Sequence, residues 1–173
     1  LSVFGNIERW RRIEGEKRRL IYSLLRLGLP ISNPHGSVTL AFDFLADDIE
    51  KVYTGHEDGL ITLNIAEADG AHRELTRSQM AEPYRTLLGH FRHESGHYYW
   101  QLLVENSSKL ESVRQTFGDD RPDYGQAMQR YYREGPPPDW QTHFISAYAS
   151  SHPWEDWAET WAHYLHIIDT MET

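Results

Sequence analysis

The stretch PYRTLLGHFRHESGHYYWQLLV, residues 83–104, decides how this chain is read. Its pattern predicts a helix over 83–104, with Glu82-Pro83 as the entrance, since the first turn leaves unused the N–H that Pro lacks. Inside it stands His93-Glu94-Ser95-Gly96-His97, the pattern H-E-x-x-H. At ~100° per residue, positions 93 and 97 fall one turn apart on one face, so two imidazoles can reach one metal ion from a rigid backbone. Glu94 borders that face and is placed to hold a water on the metal rather than to chelate with both histidines. Thr86, His90, His93, His97 and Gln101 form a polar line, opposite Tyr84, Leu87, Leu88, Phe91, Tyr98 and Leu102. That predicts an apolar back and a His-rich front. Gly89 and Gly96 flank the front and leave room for a close neighbour. His90, Arg92 and Trp100 acquire no role from this pattern.

A catalytic zinc takes three protein ligands and keeps one position for water. The residues after His97, from Tyr98 to Leu103, offer no third histidine. A last helix, predicted over 153–168, supplies the candidate. On it Glu155, Ala158, Glu159, Ala162 and His166 share one face, and Trp154, Trp157, Trp161, Leu165 and Ile168 the other. Set against the His-bearing helix, Glu155 reaches the metal. Glu159, one turn on, accepts the second N–H of a ligating histidine. The two alanines let the helices approach. The competing reading is an acidic, solvated stripe near a helix N-terminus, where carboxylates are favourable. Pairing with H-E-x-x-H tips the balance to the metal.

Working outward, residues 6–27 read as a helix with an apolar stripe (Leu20, Ile21, Leu24, Leu25, Leu27) and a basic face (Arg9, Arg11, Arg12, Lys17, Arg18, Arg19), ended by Pro30. Glu8, Glu14 and Glu16 balance the basic face, so a solvated surface is expected there. Residues 38–44 alternate as a strand, 51–54 form a second, 55–59 a turn and 60–66 a third. The result is a small antiparallel or mixed sheet over 37–68. Residues 105–140 look irregular apart from a short helix around 125–133. The order of elements is that of an α+β domain spanning 1–173, with 1–30 as an N-terminal helical arm.

Composition narrows the function. The 173 residues contain no Cys, which excludes disulfides, thiolate metal sites and Cys nucleophiles, and ten His, which favours imidazole chemistry. The net charge of −9 disfavours nucleic acid or an anionic membrane as partner, even with the basic first helix. No segment approaches the ~18 consecutive apolar residues of a membrane helix, and the start is unlike a secretory signal, so the cytoplasm is the expected setting.

The residues now carry a resemblance. H-E-x-x-H followed on a later helix by E-x-x-x-E resembles the gluzincin metallopeptidases, whose third zinc ligand is such a Glu. Residues 82–85, 93–100, 144–149 and 152–163, together with 40–47 and 59–68, look more closely like a bacterial family of zinc-binding metallopeptidases. The likeness covers nearly the whole chain. Members usually carry a Cys-rich zinc ribbon before the part matching Arg9 onward, and this sequence has none. The resemblance implies a zincin-like fold and one Zn2+ per chain, bound by His93, His97 and Glu155, with Glu159 supporting a ligating histidine. It further implies hydrolysis of a peptide or protein substrate, with Glu94 as general base and then proton donor to the leaving amine. In lethal-factor-like gluzincins a Tyr stands upstream of the ligand Glu, which makes Tyr148 the first choice as oxyanion donor; His143 and His152 are alternatives. In zincins an edge strand receives the substrate, which here would be the strand over 60–66 unless that strand is internal. The alternative function is a catalytically silent, zinc-stabilised binding module, which a fourth ligand such as His143 or His166 would favour. His56, His72 and His166 are otherwise expected to be surface or satisfied core residues. No nucleic-acid or membrane partner is expected, and no signal for oligomeric state is present.

Overall fold

The computed structural model describes residues 5–32, 39–48, 50–69 and 86–171. Helix α1 (Asn6–Arg26) buries Ile13, Leu20 and Leu24 at helical spacing. Part of its charge is paired within the helix: Arg11 pairs with Glu8, Lys17 and Arg18 with Glu14, and Arg19 with Glu16. Pairs of this kind stabilise by only ~0.3–0.5 kcal/mol each, and they reduce the basic face a polyanion would meet. The helix stops earlier than Pro30. Gly28, at φ 68, donates its N–H to Leu25 and the next N–H goes from Leu29 to Leu24, a left-handed glycine cap.

The sheet contains β1 (Ala41–Leu45), β2 (Gly55–Glu57) and β3 (Leu60–Asn64) in the order β1-β3-β2. β1 runs parallel to β3 and β2 antiparallel to it, so the sheet is mixed. Two sequence expectations change here. The second strand is not 51–54 but 55–57, because Asp58 (φ 46) and Gly59 (φ 87) turn the chain in two residues and free 55–57 to pair with 60–62. The strand expected to offer its edge, β3, is central and has none. Among the described residues β1 and β2 are the two edge strands, and β2 is the one whose residues line the cleft described below. Residues 65–68 form a 3-10 turn rather than extending β3.

Helix α2 (Leu87–Trp100) opens on Thr86, whose hydroxyl accepts the Gly89 N–H, and continues into a π-helical turn over Gln101–Glu105. The Pro83 entrance lies outside the described residues. Next come α3 (Leu110–Phe117), α4 (Tyr124–Glu134) and α5 (Pro153–Met171). The first of these falls in a span read as irregular: it is eight residues long and buries none of them, too short a stretch to stand out as a helix.

Helix α2 is the centre of the molecule, packed on α1, the sheet and α5. Only His90 and His97 are less than buried along it. The expected two-faced helix is therefore wrapped on all sides, because α1 and the sheet cover one flank and α5 the other. Phe91 sits edge-on to Phe42 and Phe44 of β1, and Tyr98, Tyr99, Ile61, Leu63 and Leu165 complete the core. Buried Arg92 pairs with Asp169 of α5, which also accepts from Ser23 of α1, tying three helices together. Among the described residues no helix is long and apolar enough to cross a membrane.

Candidate metal centre

The centre depends on how closely α2 and α5 approach. A Cβ placed on Gly96 would lie 2.9 Å from Ala158 Cα, so the absence of a side chain is what lets the two backbones meet. Two tryptophans fix the register. Trp157 donates its indole N–H to the Gly96 carbonyl (2.8 Å) and Trp161 donates to Ser95 Oγ (3.1 Å). Trp154, grouped by spacing with the apolar face, instead lines the cleft.

This register brings Glu155 opposite His93 and His97. Nε2 of His93 and Nε2 of His97 lie 3.2 Å apart, and Glu155 Oε2 is 3.0 Å from the first and 3.6 Å from the second. Two ligand atoms on a tetrahedral ion at ~2.0–2.1 Å would be separated by ~3.3 Å, so the triangle fits such an ion. Glu155 is 1% exposed. Its Oε1 accepts the Tyr124 hydroxyl at 2.6 Å, whereas its Oε2, buried, accepts no hydrogen bond. A buried carboxylate oxygen without a donor is costly unless a cation meets it, and two imidazole nitrogens converge on the same spot. The donor set therefore suits a metal. Glu159 Oε1 lies 2.7 Å from His93 Nδ1. That contact assigns the proton to Nδ1 and leaves the Nε2 lone pair free.

Electrostatics agree. Burial alone would lower the His93 pKa, but the negative charge of Glu155 and Glu159 beside it outweighs burial and, in the absence of a metal, holds it well above the usual imidazole range. Burial likewise opposes ionisation of Glu155, and the two histidines reverse that, holding its carboxyl well below the usual carboxylate range. The site is thus built around separated charge that a divalent ion can occupy.

A cleft of about 500 Å³ opens beside the triangle, and Glu94 lines it with His93 and His97. Tyr148 lines it too, its ring 6.0 Å from that of His93. Burial, reinforced by the charge of Glu155, raises the Tyr148 hydroxyl far above its ordinary pKa, so it stays a neutral donor. The other two oxyanion candidates are elsewhere. His143 is exposed beside Asp139, and His152 caps α5: its Nδ1 accepts the Trp154 N–H while Nε2 donates to the Pro122 carbonyl. His166 lies 3.2 Å from the Arg92 guanidinium. Among the described residues no fourth His, Asp or Glu joins the triangle. His72 lies outside them.

Two site residues had no sequence signal. Tyr124 starts α4, in a stretch without periodicity, and only the fold carries its hydroxyl to Glu155. His56 stands in β2 and stacks on His97 at 6.3 Å while its Nε2 accepts the Gly59 N–H. Burial, then the proximity of His97, pushes its pKa down to about 4. His90, which the pattern left without a role, meets buried Glu67, and Glu67 also accepts the Thr54 hydroxyl. This chain of contacts ties the segment before β2 to α2.

Comparison with known proteins gives the site its family. The model of the family described as "Putative zinc-binding metallo-peptidase" matches residues 6–173. Uncharacterised proteins of Mycobacterium bovis and Mycobacterium tuberculosis are 53% identical over 175 residues, covering 98% of this chain and 50% of theirs. The chain thus spans about half the length of the curated relatives it matches. No solved structure matches it. The chain belongs to this zinc-binding metallopeptidase family.

Proposed function

We propose, proceeding from that membership, that the chain is a zincin-like, gluzincin-type domain that hydrolyses peptide bonds, with one zinc ion held by His93, His97 and Glu155. The observation that carries this reading is the meeting of three ligand atoms, 3.0–3.6 Å apart, from two helices beside an open cleft lined by Glu94. Zinc bound there would supply Lewis acidity, lowering a water's pKa towards ~7 and drawing charge from a scissile carbonyl. Glu94 takes the proton from the attacking water and delivers it to the leaving nitrogen, so the C–N bond breaks with the amine protonated. Tyr148, kept neutral by burial, donates to the carbonyl oxygen as negative charge gathers on it. Glu159 fixes the His93 ring through Nδ1. An extended substrate runs along the outer edge of β2, where unpaired backbone groups can add a strand. A silent zinc module would close the fourth metal position with protein, and no described residue does so.

Elemental analysis of the purified, metal-replete chain tests the site. About one zinc per chain is expected, lost in His93→Ala and Glu155→Ala and weakened ~10–100-fold in Glu159→Ala. Glu94→Gln should keep the zinc and lose turnover of a peptide library by ~10²–10⁴. Absence of zinc from the unmutated chain would sink the reading. Zinc kept by Glu155→Ala but lost from Glu159→Ala would exchange those two roles. A zinc-loaded chain that cleaves no peptide would select the silent module.

A further inference from the structure

Beyond His97 the cleft is lined by carboxylates that the metal chemistry leaves unused. Glu57 and Asp58 come from the end of β2 and its turn, and Glu105 from the last residue of the π turn. His97, Gln101 and Glu105 follow at four-residue spacing, one line along the helical axis. Gln101 donates from Nε2 to Asp58 Oδ1 at 3.4 Å, which joins the hairpin tip to the end of α2. The resulting corner is bounded by strand turn and helix end.

The charges in this corner have no counterpart. Among the described residues no Lys or Arg lines the cleft. A bound Zn2+ would be matched by Glu94 and Glu155. Glu57, Asp58 and Glu105 then remain without an ion-pair partner among the described residues. A second feature is independent of the acids. Gln101 Oε1 is buried and accepts no hydrogen bond, so it is an acceptor without a donor. Trp100, 3% exposed and lining the same cleft, has an indole N–H that donates to nothing. Trp154 is its counterpart, also with an unpartnered N–H. Buried polar atoms in this state are costly unless a ligand completes them. Acceptor-rich walls suit a cationic nitrogen, which donates several hydrogen bonds.

The geometry points to a basic substrate: a cationic nitrogen, from a Lys or Arg side chain or from a peptide amino terminus, seated between Glu57, Asp58, Gln101 and Glu105. A backbone carbonyl of the same peptide meets the Trp100 N–H. This rests on the peptidase reading and adds the class of peptide that the site selects.

Binding separates the two ideas, since it does not require cleavage. The probes are three labelled peptides of one sequence: N-acetylated with an internal Lys, free at the amino terminus with norleucine in place of Lys, and N-acetylated with norleucine. Their affinities for the zinc-loaded Glu94→Gln chain are read by fluorescence anisotropy. At least one charged peptide should bind about tenfold more tightly than the neutral one, and which one does so identifies the source of the nitrogen. The ratio should shrink as salt is raised and fall to near unity in a Glu57→Gln, Asp58→Asn, Glu105→Gln triple variant that still carries zinc. Equal affinity for all three peptides, or binding of none, overturns the inference. Failure of the unmutated zinc-loaded chain to cleave peptides overturns the peptidase reading and leaves a measured affinity ratio standing.

Discussion

On one side of the cleft two regular helices, α2 and α5, touch at Gly96 and Ala158 and present His93, His97 and Glu155 from fixed backbone positions. On the other, residues 118–152 reach the same space through short helices and turns, and carry Tyr124 and Tyr148. Both sides act on Glu155. The helical side aims Oε2 at the two imidazoles, and the irregular side holds Oε1 through the Tyr124 hydroxyl. The difference teaches that the spacing of the candidate ligands comes from helical periodicity, whereas the orientation of the Glu155 carboxylate comes from a segment docked from far along the chain.

The strongest way to break the helical side is Gly96→Val. Its Cβ would enter at 2.9 Å from backbone that cannot swing aside, so a loss of about 3 kcal/mol is expected. Chemical denaturation of the metal-free chain measures it, and a zinc titration should show weakened binding. Unchanged stability would mean that the helices are not in contact there.

Next comes the irregular side. Tyr124→Phe removes the donor to Glu155 and should weaken zinc binding by about tenfold with little change in fold. Tyr148→Phe should leave zinc affinity alone and lower kcat, by about 10²-fold if its hydroxyl meets the oxyanion. Competition with a chelator and steady-state kinetics separate the two. The opposite pattern would swap positioning and catalytic roles between the tyrosines.

The smallest effect concerns acid stability of the metal-free chain. Burial, then the proximity of His97, pushes the His56 imidazole down to about 4 in the folded chain, against its ordinary 6.5. The unfolded chain therefore binds the proton first as pH falls. The His56 contribution is complete above pH ~6.5 and is lost progressively as pH drops towards about 4. Partial solvent access reduces the loss to roughly 1–2 kcal/mol. His56→Gln should flatten the stability profile across that window, and a parallel profile for both proteins would remove His56 as the cause.

Legibility in the sequence followed the range of the forces involved. The long helices that bury residues, α1 and α5, appear close to their read boundaries, while α3, eight residues long and unburied, does not announce itself. Two of the three strands, β1 and β3, are legible in the sequence; the short β2 and the topology are not. Nothing local in 60–66 distinguishes a central strand from an edge, and the parallel partner β1 lies 15 or more residues away along the chain. The strand expected at an edge, β3, is thus central, with β1 and β2 on either side. The Tyr124 contact with Glu155 spans 31 residues of aperiodic chain, and the His90–Glu67 contact spans 23.

The sequence by itself determined that His93 and His97 share one helical face with Glu94 at its border, and that Glu155 and Glu159 share another, because the covalent rise and turn of a helix fix such spacings before any packing occurs. Tertiary structure decided which faces meet, which glycine allows it, which tyrosine holds the ligand carboxylate and which strand keeps a free edge. These depend on contacts between residues distant in the chain, where burial and shape select the partner and no local pattern encodes it.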